Sequence, residues 1–183
     1  MKRAILIAMT LLAAATATET AAAEPQLTVL LAGGAEESRI SITLTPDGRS
    51  YAISSIVPLE VGGNVCWHPE EQPNQLFCEA ASIGGFEVNS GAGDDYVAVS
   101  PQVRVPATLR GGLGRDRLWG GGGADKLIGG PDDDALIGRG GPDSIFGGSG
   151  RDLLLGGSGD DLLHGNGGED ILRGSTGRNV EVQ

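Results

Sequence analysis

Seven aspartates stand nine residues apart: Asp116, Asp125, Asp134, Asp143, Asp152, Asp161 and Asp170. Carboxylate oxygens are hard ligands, and if the chain between them turns back regularly they become a row of like charges that needs a cation. The residues around them keep the same period. Five places before each aspartate stands a glycine, at Gly111, Gly120, Gly129, Gly138, Gly147, Gly156 and Gly165, and Gly174 opens an eighth unit. Two places after each aspartate stands an aliphatic residue, from Leu118 through Leu127, Leu136, Ile145, Leu154 and Leu163 to Leu172. A single Gly-Asp pair would be an ordinary polar turn. In register, the same pair predicts stacked coils with the aliphatic residues inside and the carboxylates in the turns.

The array has recognisable ends. Ser90-Gly91-Ala92-Gly93-Asp94-Asp95-Tyr96-Val97-Ala98 introduces the pattern early, with Asp95 as its carboxylate. Then 21 residues rather than 18 separate Ser90 from Gly111, so residues 99–110, with Val99, Val103, Val105 and Leu109, are expected to form strands without metal turns. The last unit places Asn179 where the carboxylate belongs and Glu181 where the aliphatic belongs, as expected of a capping repeat whose outer face has no neighbour.

The unit G-G-x-G-x-D-x-U-x resembles the hemolysin-type calcium-binding repeat, or RTX repeat, closely over residues 111–182 and in part over 90–98. The resemblance implies an all-β fold, a right-handed parallel β-roll in which two units make one turn, the Gly/Asp segments turning and the remainder forming short strands. It implies Ca2+ as the cofactor, held by the aspartates from Asp95 to Asp170 and the first-place glycines Gly111 to Gly165. Elementary chemistry agrees: glycine tolerates the positive φ of tight turns, and calcium takes six to eight oxygens from carboxylates and backbone carbonyls. One inward aliphatic residue per nine contributes little against the entropy of ordering the unit, so an ion that binds only the folded state is the expected remaining contribution. Turns two units apart can share an ion, and about four to six sites are expected. Departures from the pattern are Asp132 in the fourth place and Arg139, Asn166 and Ser175 in the second.

The remaining chain bounds the role. The net charge is -11 and Lys and Arg are not clustered, which argues against nucleic acid as a partner. Residues 1–23 read as an export signal: Lys2 and Arg3, an apolar stretch from Ala4, and Ala21-Ala22-Ala23 as the cleavage site. That stretch is short of a membrane span, so the expectation is a secreted protein that does not cross the membrane after signal removal. Cys66 and Cys78 are expected to pair, as exported chains with an even count do; a zinc site with His68 would lack a fourth ligand. Leu27 to Leu31 is a short apolar run ending at Gly33-Gly34, and strict alternation at Ile40, Ile42 and Leu44, a Pro46-Asp47-Gly48 turn, then Tyr51, Ile53 and Ile56 predict a hairpin over 39–56. The expected organisation is therefore a signal at 1–23, a small disulfide-bearing β segment at 24–89, an irregular first coil at 90–110 and the β-roll at 111–183.

Outward strand places carry Trp119, Ile128, Ile137, Phe146 and Leu155, and Leu153, Leu162 and Ile171. So much apolar surface predicts a cover: the N-terminal segment, or a second copy by self-association. Catalytic motifs are absent from the sequence; His68 and His164 stand alone, and Glu70-Glu71 reads as solvated charge. The expectation is a non-catalytic protein of structural or adhesive role, with a carbohydrate-binding or accessory module of an extracellular polysaccharide-modifying system as the alternative. A small hydrolase with an unrecognised site at 57–85 is a third class.

Overall fold

The computed structural model describes residues 27–55, 66–67, 69, 72 and 74–183. The signal at 1–23, Ile56, His68, Glu70 and Glu71 lie outside the described residues. Among the described residues the fold is all β with one 3-10 turn, Ala80–Ser82.

Two sheets face each other. One has seven parallel strands, β1 (Leu27–Gly34), β6 (Ile83–Ala92), β8 (Ala107–Leu113), β10 (Lys126–Pro131), β12 (Ser144–Ser149), β14 (Leu162–Gly167) and β16 (Val180–Val182). The other places β2 (Arg39–Leu44), β7 (Tyr96–Val99), β9 (Arg117–Trp119), β11 (Ala135–Gly140), β13 (Leu153–Ser158) and β15 (Ile171–Thr176) in parallel. An antiparallel extension of β3 (Ser50–Ser55), β5 (Gln75–Glu79) and β4 (Cys66–Trp67) then continues from β2. The chain alternates between sheets, so the fold is a parallel β-solenoid. Regular strands pair with a partner 18 residues away, as Lys126 does with Ser144 and Leu136 with Leu154.

The eighth-place residues form the core between the sheets: Leu118, Leu127, Leu136, Ile145, Leu154 and Leu163 are fully buried, and Leu172 is partly buried at the last coil. Period-two alternation explains this, because only the middle residue of each short strand faces inward. The strands are longer than the spacing suggests, because the first places of each unit continue the ladder before the chain turns.

The boundary expected at 89/90 does not separate two structures. Strand β1 pairs in parallel with β6 and β2 with β7, so residues 27–44 are the first coil of the same solenoid. The hairpin of β2 and β3 is present, and the described residues between 45 and 82 form an excursion, with β3, β4 and β5, between the first and second coils. Cys66 and Cys78 face each other across β4 and β5 and form a disulfide. Of residues 99–110, expected to hold strands without metal turns, Val99 ends β7 and residues 107–110 begin β8 with Leu109 buried, while residues 100–106 between them form one wide turn with Val103 buried.

Candidate metal centre

The turns lie along the two edges of the solenoid. A long row comprises residues 33–38, 90–95, 111–116, 129–134, 147–152 and 165–170; a short row comprises 120–125, 138–143, 156–161 and 174–179. Gly111, Gly129, Gly147 and Gly165 open turns on the long row, and Gly120, Gly138 and Gly156 on the short one.

The aspartates do not point at solvent. Asp95, Asp116, Asp125, Asp134, Asp143, Asp152 and Asp161 are at most 3 % exposed. Each uses Oδ1 to accept a backbone N–H one coil away. On the long row the donors are Ser38 to Asp95 at 2.6 Å, Asp95 to Asp116 at 2.9 Å, Asp116 to Asp134 at 2.7 Å, Asp134 to Asp152 at 2.9 Å and Asp152 to Asp170 at 2.9 Å. On the short row Ala107 donates to Asp125 at 2.8 Å, Asp125 to Asp143 at 2.9 Å and Asp143 to Asp161 at 2.9 Å. Asn179 closes that row by accepting from Asp161 through its amide oxygen at 2.9 Å. This capping residue therefore keeps the rung and drops the charge.

The second oxygen is different. Oδ2 of Asp95, Asp116, Asp134, Asp143, Asp152, Asp161 and Asp170 is buried and accepts no hydrogen bond. The first-place glycine leaves the space beside it. A β-carbon on Gly129 would lie 2.2 Å from Asp134 Oδ2 and 2.6 Å from the carbonyl oxygen of Gly147. On Gly138 it would meet Asp143 Oδ2 at 2.2 Å and the Gly156 carbonyl at 2.7 Å. An orphaned carboxylate oxygen and the next first-place carbonyl thus flank the same small space, coil after coil.

Electrostatics sharpen the need. Burial pushes the carboxyls of Asp116 and Asp125 up to about 6, Asp134 to about 7 and Asp143 to about 8. Backbone N–H donors pull each of them down, and for Asp134 the carboxylates of Asp116 and Asp152 push up again. Asp95, Asp152 and Asp161 are raised for the same first reason, burial. Without a cation Asp134 is about half protonated and Asp143 mostly protonated at neutral pH, and a cation beside them favours the ionised form. The oxygen-only donor set fits a hard ion. Among the described residues no three acidic, imidazole or thiol side chains gather at one point, so backbone carbonyls must supply ligands alongside the carboxylates.

A family model of the RTX calcium-binding nonapeptide repeat (4 copies) matches residues 108–136, 128–163 and 146–181. Residues 108–181 are an RTX array. The calcium-binding repeats and the parallel β-solenoid together support a calcium-binding β-roll over these residues. No curated protein and no solved structure matches the chain.

Within the RTX array the left-handed backbone is kept even where glycine is not: Asp132, Arg139, Asn166 and Ser175 have φ of 77°, 77°, 75° and 71°. The turn at 120–125 departs from the others. Its Asp125 Oδ2 accepts the Gly121 N–H at 2.6 Å, so this expected ligand is already satisfied by the chain. Gly121 and Gly123 pack against the wide turn, where β-carbons would meet the carbonyls of Val103 and Val105 at 2.8 and 2.7 Å.

Two features escaped the spacing argument. Gly33-Gly34-Ala35-Glu36-Glu37-Ser38-Arg39-Ile40-Ser41 is a coil of the same design with serine in the sixth place. Its signal was present in the paired glycines and Ile40, but the excursion at 45–82 put it out of register with the rest. The second is a fifth-place ladder outside the aspartates. Arg115 pairs with Asp94 at 3.5 Å, Arg151 with Asp133 at 2.9 Å and Arg178 with Asp160 at 2.8 Å. Each arginine N–H also donates to the same carboxylate at 2.9 Å.

Proposed function

We propose that this protein is exported and works outside the cell as a calcium-ordered structural or adhesive module, without catalysis. The observation that carries the reading is the row of buried carboxylate oxygens without partners, which makes the ordered state of the RTX array depend on an ion abundant outside cells. A Cys66–Cys78 disulfide and the leader-like residues 1–23 support an oxidising destination. Two observations support an adhesive surface. Trp119, Ile137, Leu155 and Leu153 stand half-buried on the outer face of one sheet, and Ile171 is 54 % exposed beside them. Far-UV circular dichroism during calcium titration of the chain from residue 24 tests the module: sheet signal should rise with calcium and fall with chelator. A flat signal, with no heat of calcium uptake at millimolar concentration, overturns it. Fractionation of the native host tests export.

One observation favours the carbohydrate-binding alternative. A cleft of about 430 Å³ at the edge of the outer face is lined by Tyr96, Arg39, Arg117, Ser41 and Ser54 among others. Tyr96 sits in register between the two arginines, and with Glu37, Asp94 and Asp95 lining the same cleft and Arg39 paired with Glu37 at 2.6 Å the arrangement offers an aromatic face and mixed polar groups to a neutral sugar. Binding to a glycan array in calcium, lost on Tyr96→Ala, would establish that reading; no binding to any glycan leaves the structural one.

A further inference from the structure

We propose that the calcium-dependent part of the solenoid starts only after its second coil, because at the N-terminal level of each row the chain's own side chains take the place of the cation. The proposal rests on the calcium reading of the RTX array.

On the long row the deciding residue is Ser90. It occupies the first place of the turn 90–95, where every later turn of that row has glycine. A β-carbon at Gly111 would lie 2.0 Å from Asp116 Oδ2, so the later turns keep this space empty of side chain. At the 90–95 turn the space is filled. Ser90 is fully buried, and its Oγ donates toward the carbonyls of Gly111 at 3.0 Å and Arg110 at 3.1 Å. The Gly111 carbonyl corresponds to the first-place carbonyls that flank the open space farther along. Asp95 lies below, with the hydroxyls of Ser90 and Ser38 beside its carboxylate and the Ser38 N–H on Oδ1. The Ser90 side chain occupies the space and holds the Gly111 carbonyl, while Asp95 Oδ2 itself accepts no hydrogen bond.

On the short row the substitute is a cation built into the chain. The sixth place of the wide turn is Ala107, which offers no carboxylate. The first-place carbonyls at this level, those of Val99 and Gly120, both accept hydrogen bonds from the Arg139 guanidinium, the latter at 3.1 Å. The guanidinium is held over the Trp119 ring, 5.2 Å from its centre. One level on, Asp125 is already satisfied by Gly121. Asp95 Oδ2 is also unpaired, but Ser90 fills the space beside it, so the unpaired oxygens beside open spaces leave three gaps on the long row, Asp116/Asp134, Asp134/Asp152 and Asp152/Asp170, and one on the short row, Asp143/Asp161. The consequence is polarity. Coils at 27–44 and 83–110, with the disulfide excursion, form a calcium-independent end on which the RTX array orders when calcium arrives.

The test uses hydrogen exchange and native mass spectrometry on the chain from residue 24, in calcium and in chelator. In chelator, amides of β2, β3, β6 and β7 should keep their protection while those from β10 to β15 lose it at least tenfold. The calcium-loaded chain should carry four ions by the gaps counted above, and Ser90→Gly, which opens the space beside Asp95, should add one. Ser90→Ala keeps the β-carbon in the space and should add none. Loss of protection in β2 and β6 together with the array, or an unchanged ion count in Ser90→Gly, overturns the proposal while leaving the calcium reading intact. If Ser90→Gly does not fold, a gain of an ion in Ser90→Ala overturns it instead. A chain that takes up no calcium and exchanges identically in both buffers overturns the calcium reading itself.

Discussion

The N-terminal coils and the RTX coils share one geometry and are held together by different forces. Around β2, β3, β5 and β6 the interior holds Ile40, Ile42, Ile53, Leu76, Ile83, Phe86 and Val88, with Tyr51 edge-on to Phe86 at 5.0 Å between ring centres. A disulfide closes the excursion beside it. In the RTX coils each unit brings one aliphatic residue inward, and the rest of the interior edge is lined by carboxylates. The comparison teaches that a solenoid coil needs either a wide apolar core or a charge-compensated rim, and this chain uses one at each end.

Acidity should separate the two ends most. Asp116, Asp125, Asp134 and Asp143 have carboxyls at about 6, 6, 7 and 8 in the fold, above the ordinary 3.8. A raised carboxyl favours the fold while protonated, so in chelator its contribution is complete below about pH 4 and is lost as pH rises through 6 to 8. The metal-free array should therefore gain sheet signal on acidification from pH 8 to pH 4.5, with a smaller gain in amides of the N-terminal coils, where Asp95 alone among the described residues is a buried carboxylate raised in the same way. In calcium the sign reverses, because protons compete with the ion for the same oxygens.

Core truncations come next. Phe86→Ala should cost about 3–5 kcal/mol in calcium and in chelator alike, whereas Leu136→Ala should cost about 2–5 kcal/mol in the calcium-loaded array only. Urea denaturation followed by tryptophan fluorescence and by hydrogen exchange distinguishes the ends; an equal loss from Leu136→Ala in chelator would erase the distinction drawn here. Reduction of Cys66–Cys78, which closes a loop of sequence separation 12, should destabilise the N-terminal coils by about 3 kcal/mol and leave calcium uptake by the array measurable. Smallest of all, Arg151→Ala removes an exposed pair with Asp133 and should leave both the denaturation midpoint and the ion count unchanged.

Asp133 and Asp134 mark the limit of what could be read from residue order. Both are aspartates in one turn, yet the first is exposed and held below the ordinary carboxylate range by the Arg151 N–H and guanidinium, while the second is buried and pushed to about 7. Period alone assigned Asp134 to the metal row, because the sixth place recurs with glycine and an aliphatic residue at constant offsets. It did not reveal the fifth-place ladder, whose partners alternate in sign only when units two apart are stacked. Asp125 shows the converse: its place in the period is perfect, and only the packing of its turn against residues 99–107 gives its second oxygen a donor. The first coil was hidden for a topological reason, since 57 residues separate Ser38 from the carboxylate it meets.

Residue order by itself determined the coil length, the inward aliphatic row, the aspartate row and the need for a hard cation, because each follows from a strict local period. The tertiary structure alone decided which oxygens have partners, that residues 27–44 belong to the solenoid, and that Ser90 and Arg139 occupy places where other levels are open. Those outcomes depend on contacts between coils about twenty residues or more apart, and no local pattern records which neighbour a turn will meet.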